Sequence, residues 1–183
     1  NSMEILRWPG VIQDQEFDIA AIEKQAFELF SDALVDLIAS RQREGEELKG
    51  FIQKRIDSIR KIVTTVKAAM PEILAAQRQN LADKLEELKA DLEPSRLEQE
   101  IALLAQKADV DEELDRLVSH LNEVERVISS AGQKGRRLDF LMQELNREAN
   151  TLSSKSIVAE TTLNAVELKV LIEQMREQIQ NVE

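Results

Sequence analysis

The chain has 183 residues, with 43% hydrophobic and 32% charged side chains, five Gly and three Pro, enough for one buried core and too few turn-formers for a disordered or low-complexity chain. One Trp, no Tyr, five Phe and no Cys disfavour a ring-rich β-sandwich or barrel, exclude disulfides, thiolate nucleophiles and zinc-thiolate sites, and suit a reducing cytosol. Twenty-four Lys and Arg against 35 Asp and Glu give a net charge of −11, which argues against coating nucleic acid by bulk charge and leaves a local basic patch as the available route.

After the turn signal Pro9-Gly10, apolar residues Ile19, Ile22, Ala26, Leu29, Ala33 and Leu37 recur at steps of three and four. That spacing predicts a helix from near Asp18 that buries one stripe. The pattern resumes at Leu48, Ile52, Ile56, Ile59, Val63 and Val66, so one very long helix is expected, bent near Gly45, since Gly45 and Gly50 cost about 1 kcal/mol each relative to Ala. Pro71 removes a backbone donor, and a new helix is expected to start there, carried by Leu74, Leu81, Leu85, Leu88 and Leu92. Pro94 and Ser95 interrupt before Leu97, Ile101 and Leu104.

The stretch from Asp109 to Asp111 reads as a cap for a helix using Leu114, Leu117, Val118, Leu121 and Val124, which Gly132 and Gly135 end. Leu138, Leu141, Met142, Leu145, Ala149 and Leu152 define the next helix. The Ser-rich stretch 153–156 breaks it before Leu168, Leu171, Ile172, Met175 and Ile179 define the last. No strand signal and no repeat of solenoid length emerges. The expected architecture is all-α: a helical bundle with a long, coiled-coil-like antiparallel hairpin and no sheet. No apolar run approaches the roughly 18 residues of a membrane span, and no basic-then-apolar leader is present, which gives a cytoplasmic reading.

Several residues could carry chemistry. At about 100° per residue, Asp109, Glu113, Arg116 and His120 share a narrow stripe flanking the apolar face of their helix. Carboxylates near an imidazole on one rigid face could hold a divalent ion or orient a general base; the bland alternative is a solvated face with intrahelical ion pairs. On the next helix Asp139, Gln143, Asn146 and Asn150 form a polar stripe beside the core. Two Asn one turn apart inside a helix carry a local cost, so their amides are expected to bond something specific, either a ligand or a network between helices or subunits. Arg136, Arg137 and Arg147 could meet phosphates.

Arg43, Lys54 and Lys61, thickened by Lys49, Arg55, Arg60 and Lys67, could form a rail along a phosphate backbone, or simply a solvated face. No aromatic residues interleave to stack bases, leaving shape and phosphate contacts as the recognition mode. The last helix carries a second apolar line, Leu163, Val166 and Val170, opposite its main face. A helix apolar on two sides needs two partners, which hints at oligomerisation.

Longer motifs point further. Arg96-Leu97-Glu98-Gln99-Glu100, Asp109-Val110, Glu112 to Leu117, Ser119-His120-Leu121 and Gly135 to Phe140 resemble the YicC/YloC family closely. So do Gln143-Glu144, Asn146-Arg147-Glu148, Asn150-Thr151, Ser154-Lys155, Glu167-Leu168-Lys169 and the stretch Arg176 to Asn181. Leu6-Arg7-Trp8-Pro9-Gly10-Val11 and Arg41, Glu44, Gly45 and Leu48 extend the resemblance over essentially the whole chain. It implies a bacterial cytoplasmic endoribonuclease, a homohexamer around a channel for RNA, with a divalent metal, Mn or Mg. Family members carry a further N-terminal domain, so the chain reads as a C-terminal portion: 1–17 a segment linking to the absent domain, 18–93 the helical hairpin, 94–183 the bundle with the signature.

A single histidine cannot supply both the acid and the base of a two-imidazole ribonuclease. The expectation is therefore metal-assisted phosphodiester cleavage. The candidate metal ligands are Asp109, Glu113, His120, Asp139, Glu144 and Glu148, with His120 as ligand or proton shuttle. His120 and Glu113, with Arg137 and Arg147 stabilising phosphate charge, form the candidate catalytic set, and Arg43, Lys54, Lys61 and Arg136 the RNA-binding set. The competing class is a non-catalytic helical RNA-binding or adaptor module whose acidic and amide stripes only hold subunits together.

Overall fold

A computed structural model of the chain describes residues 1–11, 18–87 and 110–180. The expected elements at Leu88, Leu92, Pro94, Leu97, Ile101 and Leu104, and the candidate ligand Asp109, lie outside those residues. Five helices are described: α1 (Ser2–Ile5), α2 (Ile19–Glu87), α3 (Asp111–Ser129), α4 (Gly135–Lys155) and α5 (Ala159–Ile179). No β-strand occurs among the described residues, as the composition requires.

The chain divides into two compact units, Asn1–Glu44 and Gly45–Glu183. In the first, Asp18 Oδ1 accepts a bond from the Ala21 amide at 3.1 Å and so starts α2 by capping one of its orphan donors. The stripe expected to be buried there stays exposed, with Ile19, Ile22, Leu29 and Leu37 all more than half accessible. Periodicity sets which residues share a helix face; whether that face is covered depends on what packs against it.

The second unit holds the core. Ile52, Ile56, Ile59, Val63, Val66 and Met70 of α2 recur at alternating steps of four and three and are all buried. They cluster with Leu114, Leu117, Leu121 and Val124 of α3, Leu138, Leu141, Met142, Leu145, Ala149 and Leu152 of α4, and Leu168, Ile172, Met175 and Ile179 of α5. Helices α3 and α4 pack on one another, as do α4 and α5. Polar clasps tie α2 to the rest: Arg60 donates to both oxygens of Glu125 at 2.8 and 2.7 Å, and Gln53 donates to Glu125 at 2.7 Å.

Three expectations change. The helix expected to restart at Pro71 runs through it unbroken to Glu87, so the described part of the hairpin expected over 18–93 is a single helix. Pro71 withdraws one donor, from the carbonyl of Lys67, and sits on the exposed side; the buried residues Val63, Val66 and Met70 hold the helix together on the other. At the start of α3, Val110 occupies the cap position with no side-chain bond, while Asp111, Glu112 and Glu113 fill the first turn, where the helix dipole favours negative charge. At the end of α4, the Ser-rich stretch lies partly inside the helix: Ser154 bonds the Thr151 carbonyl at 2.9 Å, and the helix closes at Lys155.

Candidate functional site

The seam between α3 and α4 is polar along one edge, because residues at steps of three and four on α3 and of four and seven on α4 meet across it. On α3 these are Glu113, Arg116 and His120; on α4 they are Lys155, Glu148 and Glu144. The helices run antiparallel, so Glu113 meets Lys155 at one end and His120 meets Glu144 and Glu148 at the other. Lys155 Nζ lies 3.0 Å from Glu113 Oε1. Arg116 bonds Glu112 one turn back and reaches Glu148 at 3.8 Å.

At the His120 end, one ligand atom each from His120, Glu144 and Glu148 lies within 4.8 Å of the others. His120 and Glu144 are half-buried and Glu148 is buried. Oxygens and nitrogens sharing one octahedral ion at about 2.1 Å lie roughly 3 to 4 Å apart, close to the separation within this set. Two carboxylates with one imidazole are donors suited to Mn, and through the carboxylates to Mg. The residues present therefore fit the metal the resemblance implies.

The remaining candidates are placed elsewhere. Glu113 is buried, but Lys155 neutralises it and its second oxygen, Oε2, is buried without a hydrogen-bond partner among the described residues. Asp139 faces the other flank of α4, where it accepts a bond from Gln143 at 2.8 Å and lies 3.7 Å from Arg176 Nε. Arg137, in the first turn of α4, lies 3.3 Å from Glu123 and over the Phe140 ring. Arg126 and Arg137 hold the Glu123 carboxyl down at about 2, with Arg126 the larger cause.

Arg147 lines a groove of about 410 Å³ with Gln143, Asn146, Asn150, Thr151 and Arg176, on the flank of α4 that turns toward α5. Asn150 Nδ2 donates to Asn146 Oδ1 at 2.8 Å, so the two amides flagged by their helix cost bond each other within one turn. Arg43, Lys54, Lys61 and Arg136 are exposed. Three of the cations expected to thicken the rail are committed internally: Arg55 stacks on Phe51 and bonds Gln174, Arg60 clasps Glu125, and Lys67 bonds Asp115 at 2.8 Å.

Sequence reading missed the two residues that shape these sites from outside their own stripes. Lys155 and Arg176 stand in the signature motifs, but nothing in one helix's periodicity shows that they meet Glu113 and Asp139 on another.

Comparison with known proteins agrees with the placement of the signature. The family model described as endoribonuclease YicC-like, C-terminal, matches residues 66–183, and the one described as endoribonuclease YicC-like, N-terminal region, matches residues 1–50. A Haemophilus influenzae protein named "Probable endoribonuclease YicC" is 53% identical over 183 residues, covering all of this chain and 64% of the relative. A Clostridioides difficile protein of the same name is 33% identical over 186 residues, covering 99% of this chain and 64% of the relative. The chain thus spans just under two thirds of the length of these curated relatives. With the C-terminal model covering most of its length, and the seam residues Glu113, His120, Glu144 and Glu148 inside that match, the chain belongs to the YicC-like family.

Proposed function

We propose that this chain is the helical part of a divalent-metal-assisted endoribonuclease that cleaves RNA phosphodiester bonds. The observation that carries the reading is the meeting of His120 with Glu144 and Glu148 across the α3–α4 seam; the relatives named as endoribonucleases supply the reaction class. His120, Glu144 and Glu148 would hold the ion, Mn or Mg. When bound, such an ion polarises a phosphoryl oxygen and lowers the pKa of a bound water.

The chain's own groups have separable tasks. Arg116, 3.8 Å from Glu148, limits the negative charge of the pair and helps to fix that carboxylate's direction. Lys155 balances Glu113, so Glu113 acts as a structural charge beside the site. His120, the chain's single imidazole, offers a ring nitrogen to the cluster as ligand or proton shuttle. Arg43, Lys54, Lys61 and Arg136 are exposed cations available to phosphates.

The same reading places the protein in the cytoplasm as a homo-oligomer, a hexamer by resemblance. Leu163, Val166 and Val170, each at least half exposed on α5, support a contact between copies. The test is cleavage of a labelled structured RNA with EDTA, Mg or Mn, using the Haemophilus influenzae relative as positive control. Metal-dependent cutting that is lost in His120→Ala and Glu144→Gln, with helicity unchanged, is expected. Unchanged cutting in both variants refutes the site. Tight RNA binding without cutting, under conditions in which the relative cuts, moves the chain to the adaptor class.

A further inference from the structure

The groove between α4 and α5 gathers two cationic side chains in a chain of net charge −11. Two guanidiniums, Arg147 and Arg176, line it together with Met142, neutral amides and a hydroxyl, and no carboxylate does among the described residues. Arg176 stands 3.7 Å from Asp139 and 3.5 Å from Glu173, both beyond ordinary hydrogen-bond length. Its Nε is buried with no hydrogen-bond partner among the described residues. A buried donor left in this state costs roughly 1–3 kcal/mol unless something accepts from it.

The amides are partly committed. Asn150 Nδ2 gives one of its two N–H groups to Asn146 Oδ1, and Gln143 Nε2 one of its two to Asp139, whereas Asn146 Nδ2 keeps both beside the two arginines. Paired guanidiniums with an amide donor match the tetrahedral oxygens of a phosphoryl group, which accepts several bonds at once. The volume, about 410 Å³, falls in the range of small-ligand sites and accommodates a sugar-phosphate unit.

From this arrangement we infer that the groove is a phosphate subsite for an RNA strand, held by Arg147, Arg176 and Asn146. It sits on a different flank of α4 from Glu144 and Glu148. No aromatic side chain lines it, so bases have nothing to stack on and the strand is gripped by its backbone without sequence preference. A contact between copies of the chain is the weaker occupant, because interface cores are apolar and the exposed apolar line of this bundle, Leu163, Val166 and Val170, is on another face of α5. The assignment rests on RNA being the substrate.

The experiment is fluorescence anisotropy of a labelled single-stranded RNA binding to the unsubstituted chain, Arg147→Glu and Arg176→Gln, across a salt series. It is paired with circular dichroism to confirm folding and sedimentation to follow mass. Arg147→Glu is expected to weaken binding about tenfold or more and to lower the salt slope by about 0.7, one single-strand phosphate contact; Arg176→Gln weakens it by several-fold. RNA, and inorganic phosphate at equal ionic strength more weakly, moves the side-chain amide resonances of Asn146 and Asn150. Unchanged affinity and slope in both folded variants overturn the subsite, as do amide resonances that RNA leaves unmoved, or a loss of mass with RNA binding intact. Loss of cleavage in His120→Ala alongside unaltered binding in Arg147→Glu removes this groove and keeps the endoribonuclease reading. Weakened binding in Arg147→Glu with no cleavage by any form keeps the groove and removes that reading. Failure of the unsubstituted chain to bind RNA removes both.

Discussion

Replacing Lys155 by Met keeps most of its methylenes in place and removes the charge that, among the described residues, balances Glu113. Glu113 is only 4% exposed, and one of its oxygens already lacks a partner among the described residues. A fully buried charge left alone costs about 3–5 kcal/mol. The Lys155 side chain is 23% exposed, so water reaches that end of the seam, and about 2 kcal/mol is the expected loss. For a chain of this size that amounts to a fall of about 4–8 °C in Tm. The double variant Glu113→Leu/Lys155→Met replaces the pair with apolar side chains of similar volume, which is often neutral or stabilising. It should return to within about 1 kcal/mol of the parent, giving a coupling near 2 kcal/mol by urea unfolding followed by circular dichroism. A loss below about 0.5 kcal/mol in Lys155→Met, or a double variant weaker than either single one, would refute the view that the pair acts as a balanced charge. The double variant should also keep metal-dependent cleavage; loss of cleavage in a stable double variant would return Glu113 to the catalytic set.

The other expectations concern metal, acid and packing. Mn at a hundred times its Kd should stabilise the chain by about 2.7 kcal/mol, read as a rise in Tm that disappears in Glu144→Gln; an equal rise in the variant places the ion elsewhere. Arg60 and Gln53 hold the Glu125 carboxyl below its ordinary value, Arg60 being the larger cause. That clasp therefore contributes above the ordinary carboxylate range near about 4.3 and is lost as pH falls from there through the lowered value. Glu125→Gln should flatten the acid-side stability profile in that window, and an unaltered profile would show that the clasp does not stabilise. Leu121→Ala, at a site with no exposure, should cost about 2–5 kcal/mol, whereas Leu163→Ala on the exposed line should stay within about 0.5 kcal/mol; comparable losses would mean that Leu163 is covered.

The core was legible because burial and periodicity report the same thing wherever a helix has a single partner face. The 4,3 spacing from Ile52 to Met70 and the runs on α3 and α4 read directly as buried stripes. Pro71 misled because propensity is local, whereas the buried residues around it stabilise the helix it would otherwise end. The stripe read from Glu113 to His120 was correct as a face but not as a unit. Across the seam it divides into a buried ion pair with Lys155, an Arg116 shared between Glu112 and Glu148, and a His120 that meets two carboxylates. A helical wheel cannot show that division, since it depends on which residue of α4 stands opposite each turn of α3. The amide stripe shows the same limit: Asn150 donates to Asn146 within one turn, and Arg176, from another helix, makes their flank a groove.

Charge accounting sharpens what RNA binding must look like. Arg60, Lys67, Arg116, Arg126 and Arg137 all spend their charge on carboxylates of the same chain, and the net charge repels a polyanion at long range. If the chain binds RNA, the contacts therefore have to come from a few cations whose charge is not fully spent on carboxylates. Arg43, Lys54, Lys61, Arg136 and Arg147 are exposed and form no ion pair among the described residues. If each meets one phosphate of a single strand, the logarithm of the binding constant should fall with that of salt at a slope of about 3.5. Reversing Lys54 and Lys61 together should take away about 1.4 of it. A slope that the double reversal leaves untouched would mean that the α2 cations are a solvated face and that the strand is held elsewhere.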